Sequence, residues 1–198
     1  MLEKSISDST EEVLNRGFII AGDQIRRQYR YQLNAKAVGL LDGCRSKDRI
    51  CVPQELSIGI NVPFTGKFAG NLVFVCPWAM GQTVWTQIIG SAPLTPQDLN
   101  VDHLRLMIEA ARSFGNGFCQ ALQASHQLSI AIGQPVAAVD MAPVIMQTMT
   151  IEAVRGKMNI LPFTLEVGVE DTIISGQVFL VSEPKSFLML ASKNRVAA

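Results

Sequence analysis

Val62-Pro63-Phe64-Thr65 recurs as Leu161-Pro162-Phe163-Thr164, and each copy is followed by a turn and an apolar run that starts at glycine. The runs are Gly70-Asn71-Leu72-Val73-Phe74-Val75 and Gly176-Gln177-Val178-Phe179-Leu180-Val181. Leu56, Ile58, Ile60 and Val62 alternate along the first strand, the period of a strand with one buried face. Thr65-Gly66-Lys67 supplies the turn of a hairpin. Two such hairpins, half a chain apart and in the same order, predict an internally duplicated α+β domain. Their alternation places both in a sheet with one face covered by helices.

Outward from the hairpins, Ser9-Thr10-Glu11-Glu12 has capping-box spacing. Val13, Leu14, Phe18, Ile19, Ile25 and Tyr29 follow at helical intervals, which predicts a helix over 9–31. A strand is expected over 33–43 and a loop over 44–52. Pro77-Trp78 opens a helix that runs to about Ile89, because proline suits a first turn, and Gly90 suits its end. A long helix covers 101–126. Strands are expected at 128–133 and 142–151, the second hairpin at 157–168 and 172–182, and an edge strand at 186–191 before a frayed tail. The chain reads as one domain, 1–198, with its core at about 10–182.

The 198 residues carry 17 Lys plus Arg and 17 Asp plus Glu, with 48% hydrophobic and 17% charged residues. That composition excludes disorder over most of the chain. Zero net charge argues against nucleic acid as a partner, since such binding draws on many basic contacts. Cys44, Cys51, Cys76 and Cys119 form no Cys-x-x-Cys pair, so free thiols in a reducing compartment are expected. No apolar run reaches the roughly 20 residues that cross a bilayer, and the polar N-terminus lacks a signal-peptide core. A cytoplasmic protein without membrane contact is the expectation. His103 and His126 lie at opposite ends of one helix, too far apart for one metal, and no nucleophile motif surrounds any Ser or Cys. Arg26-Arg27-Gln28-Tyr29-Arg30-Tyr31 reads as a helix C-terminus, where cations complement the dipole.

On the long helix, Leu104, Ile108, Ala111, Gly115, Phe118 and Leu122 fall within one arc, the predicted buried face. Arg105, Glu109, Arg112 and Asn116 form a second stripe turned away from the core. The stripe is either a solvated face with weak ion pairs or a recognition surface on a rigid element. Gly115 and Gly117 each cost this helix about 1 kcal/mol relative to alanine. Close backbone packing or close approach of a docked partner would offset that cost, and spacing leaves both open.

The order of elements, the Glu-Ala-Ala-x-x-x-Gly-Asn long helix, Ala142-Pro143-Val144 and the final Pro-Phe…Gly-x-Val-x-Leu hairpin together resemble the CheC/CheX/FliY family of chemotaxis phosphatases, most closely the CheX-like domains. The resemblance covers about residues 10–182. It implies a duplicated, twisted, mostly antiparallel sheet with two long antiparallel helices packed on it. It also implies a phosphorylated CheY-like receiver as partner, which brings its own Mg2+ and aspartyl phosphate, so that this chain holds no cofactor. In the family a Glu and an Asn three residues apart align the attacking water, a positioning mechanism.

This sequence departs from that pair. Aligned on Glu109, the amide position holds Arg112, which donates only and cannot accept a hydrogen bond from water. Aligned on the Gly-Asn pair, the two positions hold Ile108 and Ala111. A third register pairs Asn116 with Ser113. Glu12-Val13-Leu14-Asn15 has the spacing, but at the predicted helix start, where both residues have structural work. The resemblance therefore implies Glu109 and Asn116 as a degenerate catalytic pair and Arg105, Arg112 and Ser113 as binding residues, with phosphatase activity weak or lost. The alternative is a non-catalytic binding module or dimeric scaffold, pairing through the edge strands at 142–151 and 186–191.

Overall fold

The two Pro-Phe hairpins lie side by side at the centre of one sheet. The computed structural model describes residues 2–29, 33–40, 52–151, 158–169 and 172–192. In chain order these form α1 (Leu2–Tyr29), β1 (Leu33–Leu40), β2 (Leu56–Gly66), β3 (Gly70–Pro77), α2 (Trp78–Ile89), a 3-10 turn (Pro96–Asp98), α3 (Val101–His126), β4 (Ile130–Ile132), β5 (Val136–Met141), α4 (Ala142–Met149), β6 (Asn159–Val169), β7 (Thr172–Ser182) and α5 (Pro184–Ser192). The seven-stranded sheet runs β1-β6-β7-β3-β2-β4, with β5 also on β2. Every pairing is antiparallel.

Read from either edge, the strand order is the same: a lone strand, then the first and second strands of a hairpin. Each half lends its lone strand to the other half's hairpin, β1 to β6 and β5 to β2. This is the twofold relation that the repeated motif predicts. The register is not copied residue for residue. Phe64 faces Gly70, whereas Phe163 faces Val178 and Gly176 faces Leu165, two residues further along the strand. A slip of two keeps every side chain on its own face, so the buried pattern survives.

Ile58, Ile60, Val62, Phe64, Leu72, Phe74, Phe163, Leu165, Val178 and Leu180 fill the sheet face under α1 and α3. The alternate residues Val73, Val75, Phe179 and Val181 form a second, smaller cluster with Ala142, Ile145 and Met146 of α4 on the opposite face. Gly59 makes that second contact close, since a Cβ there would strike the Ile145 side chain.

Three sequence-based expectations need correction. First, α1 begins at Leu2 rather than at 9. Ser9 does not cap it; the Ser9 hydroxyl donates to the Leu190 carbonyl at 2.9 Å, and Thr10 Oγ1 donates back to the Ile6 carbonyl at 2.7 Å. Second, residues 142–151 are not a strand: β5 ends at Met141 and α4 follows, with Pro143 in its first turn. The succession repeats β3, Pro77 and α2. Third, 186–191 is not an edge strand but lies within α5, whose Phe187 and Leu190 enter the main core, Phe187 against Phe68 at 6.4 Å. Short apolar runs of this length have no periodicity that separates strand from helix; the surfaces they cover decide. Residues 44–51 of the loop expected over 44–52, Arg30 and Tyr31, and the tail at 193–198 lie outside the described residues.

Candidate functional site

α3 spans 26 residues. Asn100 caps it, its side-chain oxygen accepting the His103 N–H at 3.0 Å, and Gln127 ends it in the left-handed region at φ 54°. The buried arc is wider than periodicity alone implies. Leu106, Met107, Phe114 and Cys119 are buried, and Leu104 and Ile108 are half-buried. The reason is that α3 packs on two surfaces, the sheet and α1.

The two glycines mark those surfaces. A Cβ on Gly115 would lie 2.6 Å from Val62 Cγ1 of β2, and one on Gly117 would strike the Gly17 carbonyl of α1. A Cβ on Gly17 would in turn lie 2.6 Å from the Phe118 backbone nitrogen. Of the two explanations that spacing leaves open, the structure shows the internal one: close packing within the fold accounts for both glycines, against the Val62 side chain for Gly115 and against the α1 backbone for Gly117. Antiparallel contacts flank the crossing, Phe18 with Phe114 at 5.2 Å and Arg16 with Ser125 at 3.3 Å.

The polar stripe stays at the surface. Arg105 is exposed, and Glu109, Arg112 and Asn116 are partly so. Arg112 Nη1 donates to Glu109 Oε1 at 2.9 Å, with the two side chains 35% and 27% exposed. An ion pair this accessible contributes under about 1 kcal/mol, but it occupies the only carboxylate on the stripe with a cation one turn away. Ser113 does not join the stripe. It is buried, and its hydroxyl donates to the Glu109 carbonyl at 3.0 Å. Among the described residues none hydrogen-bonds the Asn116 side chain, and two turns, about 10 Å, separate Asn116 from Glu109.

The intact Glu-x-x-Asn spacing on α1 is also committed. Asn15 Nδ2 donates to the Ala37 carbonyl at 3.0 Å, and its Oδ1 accepts the Ala37 N–H at 2.8 Å. One side-chain amide thus takes both backbone groups of a β1 residue, as a neighbouring strand would. Glu12 Oε1 accepts from Arg16 at 2.6 Å. Ala37 is fully buried, so water cannot replace the amide. Asn15→Ala is expected to lower stability by about 2 kcal/mol, read by urea unfolding, while Glu12→Gln changes it by under about 0.5 kcal/mol. Because Gly17 meets Gly117 where the two halves cross, the twofold relation sets Asn15 against Gly115 and Glu12 against Arg112. At the matched positions the second half therefore holds neither a Glu nor an Asn.

Burial pushes the Cys76 thiol up to about 12 and the Cys119 thiol up to about 11, so neither is a thiolate at neutral pH. Among the described residues no three of His, Cys, Asp and Glu gather as a metal site. A cleft of about 200 Å³ between α1 and β1 is lined by Phe18, Ile19, Asp23 and Arg26, with Asp23 paired to Arg26 at 3.6 Å. Among the described residues no helix is long and apolar enough to cross a membrane.

Sequence reasoning did not find three of these arrangements. Gly17 carries no signal until its partner across the helix pair is known. Asn15 looks like a cap residue until α1 extends past it. The Asn100–His103 box is hidden because histidine stands where Glu or Gln is usual.

No protein-family model matches this sequence, and no curated protein matches it either. Solved structures do. The chain superposes on Thermotoga maritima FliY with a TM-score of 0.68 and 11% identity, over 98% of this chain and 97% of that one. A FliG–FliM complex from H. pylori matches with a TM-score of 0.63 and 11% identity, over 96% and 98%. The CheX–CheY–BeF3–Mg2+ complex from Borrelia burgdorferi matches with a TM-score of 0.51 and 12% identity, over 84% and 96%. At such identities the likeness is one of fold. The class is an α+β domain with a seven-stranded antiparallel sheet and five helices among the described residues. More particularly, the chain has the CheC/CheX/FliY-type fold of chemotaxis proteins.

Proposed function

We propose that this chain is a protein-binding module of the chemotaxis apparatus that engages a phosphorylated CheY-like receiver through the outward stripe of α3 without hydrolysing its phosphate. One observation carries the reading: among the described residues neither long helix offers a free carboxylate beside a free amide. Glu109 is held by Arg112, Asn116 lies two turns away, and the Asn15 amide is spent on Ala37. Aligning a water on an aspartyl phosphate needs an acceptor and a donor fixed within one turn of each other. What remains exposed is Arg105, beside the Glu109–Arg112 pair, on a helix anchored at both ends and along two faces. That is a rigid docking ridge. In this reading the Mg2+ and the phosphate belong to the receiver; the CheX–CheY complex of like fold contains BeF3 and Mg2+.

The test is titration of BeF3-activated, Mg2+-loaded CheY-like receivers from the same cell, followed by phosphate decay of the phosphorylated receiver. Binding that weakens by about tenfold in Arg105→Glu, with decay unchanged, is the expected result. Faster decay that Glu109→Ala abolishes would show an active phosphatase instead.

A second reading is a scaffold. The FliM chain that occurs with FliG matches almost the whole of this chain, whereas CheX matches 84% of it. Absence of binding to every receiver, with capture of a FliG-like partner, favours it. Self-pairing through 142–151 and 186–191 is no longer a route, because α4 and α5 occupy those residues. The sheet edges are β1 on one side and β4 with β5 on the other.

A further inference from the structure

His103 is 4% exposed at the start of α3. Its Nδ1 accepts the Asn100 backbone N–H at 3.3 Å, while the Asn100 side chain accepts the His103 N–H at 3.0 Å. The pair closes a reciprocal capping box with an imidazole in the acceptor's place. An accepting Nδ1 leaves the ring proton on Nε2, and Nε2 is buried without a partner. The ring meets Trp85 edge-on at 5.3 Å, and Trp85 meets Trp78 at 5.4 Å. The Trp85 indole N–H donates to the His103 carbonyl at 2.9 Å.

An imidazolium does not fit this place. Its second N–H would face the Asn100 N–H, its charge would lie unpaired in a buried site, and it would sit at the positive end of the α3 dipole. α2, β2 and β4 carry no ionisable side chain. Asp98 of the 3-10 turn is held by the Thr95 N–H at 2.9 Å and hydroxyl at 2.8 Å. Asp140 of β5 accepts its neighbour Met141 N–H at 2.7 Å. On α1, Glu12 pairs with Arg16 and Asp23 with Arg26. Asp102 and Arg105 on α3 itself are exposed. Among the described residues no carboxylate forms an ion pair with His103.

We propose that His103 is an acid-sensitive latch on the N-terminus of α3: the neutral ring closes the capping box, and protonation at Nδ1 opens it and loosens the first turn, next to Arg105. The inference does not depend on the receiver reading.

The experiment uses the full chain at about pH 8 and about pH 5, which bracket imidazole titration. It reads hydrogen-exchange protection of the His103 and Leu104 amides, which bond the Asn100 side chain and carbonyl, together with tryptophan emission. Protection is expected to fall about tenfold on acidification, as for a lost cap. The emission should change with it, because both tryptophans border the ring. His103→Gln keeps an acceptor at this position and should hold protection level across the range. Unchanged protection in the wild type, or an equal fall in His103→Gln, overturns the latch. Nitrogen-15 spectra of the wild-type ring at about pH 8 give an independent check; a ring protonated at Nδ1 there overturns it regardless of how the variant folds.

Discussion

Gly117→Ala is expected to destabilise the protein by about 3 kcal/mol or more, the upper range for overpacking, with a fall in melting temperature on the order of 10 °C. The added Cβ would strike the Gly17 carbonyl and come within 3.2 Å of the Ala21 backbone nitrogen. Both obstacles are backbone of α1, so no rotamer change relieves them. α1 and α3 must move apart, and the Phe18–Phe114 ring contact at 5.2 Å goes with them. Gly17→Ala should match the effect, because the mirrored Cβ meets Phe118 backbone at 2.6 Å. Gly168→Ala is the control. The nearest atom to its Cβ is Asn34 Cβ at 3.7 Å, an ordinary contact, so its stability should stay within about 0.5 kcal/mol of wild type. Urea unfolding of the three variants decides it. If Gly117→Ala matches Gly168→Ala, the two helices do not touch through their backbones.

Phe118→Ala should cost about 4 kcal/mol. The side chain is fully buried and meets Phe64 at 5.7 Å and Phe68 at 6.2 Å. Phe68 continues to Phe187 at 6.4 Å. The rings thus link α3 to the first hairpin and to α5, and truncation opens a cavity bounded by three elements. Phe118→Leu keeps most of the volume and should cost under about 2 kcal/mol. A loss in Phe118→Ala no larger than in Phe118→Leu would mean that this ring cluster is not where the halves are joined. Neither substitution touches the exposed stripe, so in any fraction still folded the receiver binding proposed above should be unchanged, which separates stability from recognition.

Asn15 shows how a motif is read differently once the fold is known. Glu12-x-x-Asn15 has the spacing of a water-aligning pair and, placed at a helix start, looks like capping. The helix in fact begins at Leu2, and the amide closes both backbone groups of Ala37 on β1. A long-range hydrogen bond of this kind leaves no local trace, because residue 15 and residue 37 become neighbours only when β1 joins the other half's hairpin. The apolar runs at 142–149 and 184–192 misled for a related reason. Periodicity over so few residues does not separate a strand from a helix, and the surfaces that α4 and α5 cover belong to strands far away in the chain.

The sequence by itself determined the hairpins, the bounds of α2 and α3, the doubled architecture and the outward stripe. Each rests on local signals: alternation, a proline or glycine at a turn or helix end, and helical spacing. The tertiary structure alone decided the rest: why Gly115 and Gly117 are glycine, that Ser113 is buried while Arg105 is not, and that Asn15 is occupied. Those facts depend on which backbone lies across the helix, and burial and hydrogen bonding are properties of the packed pair of surfaces, not of either segment.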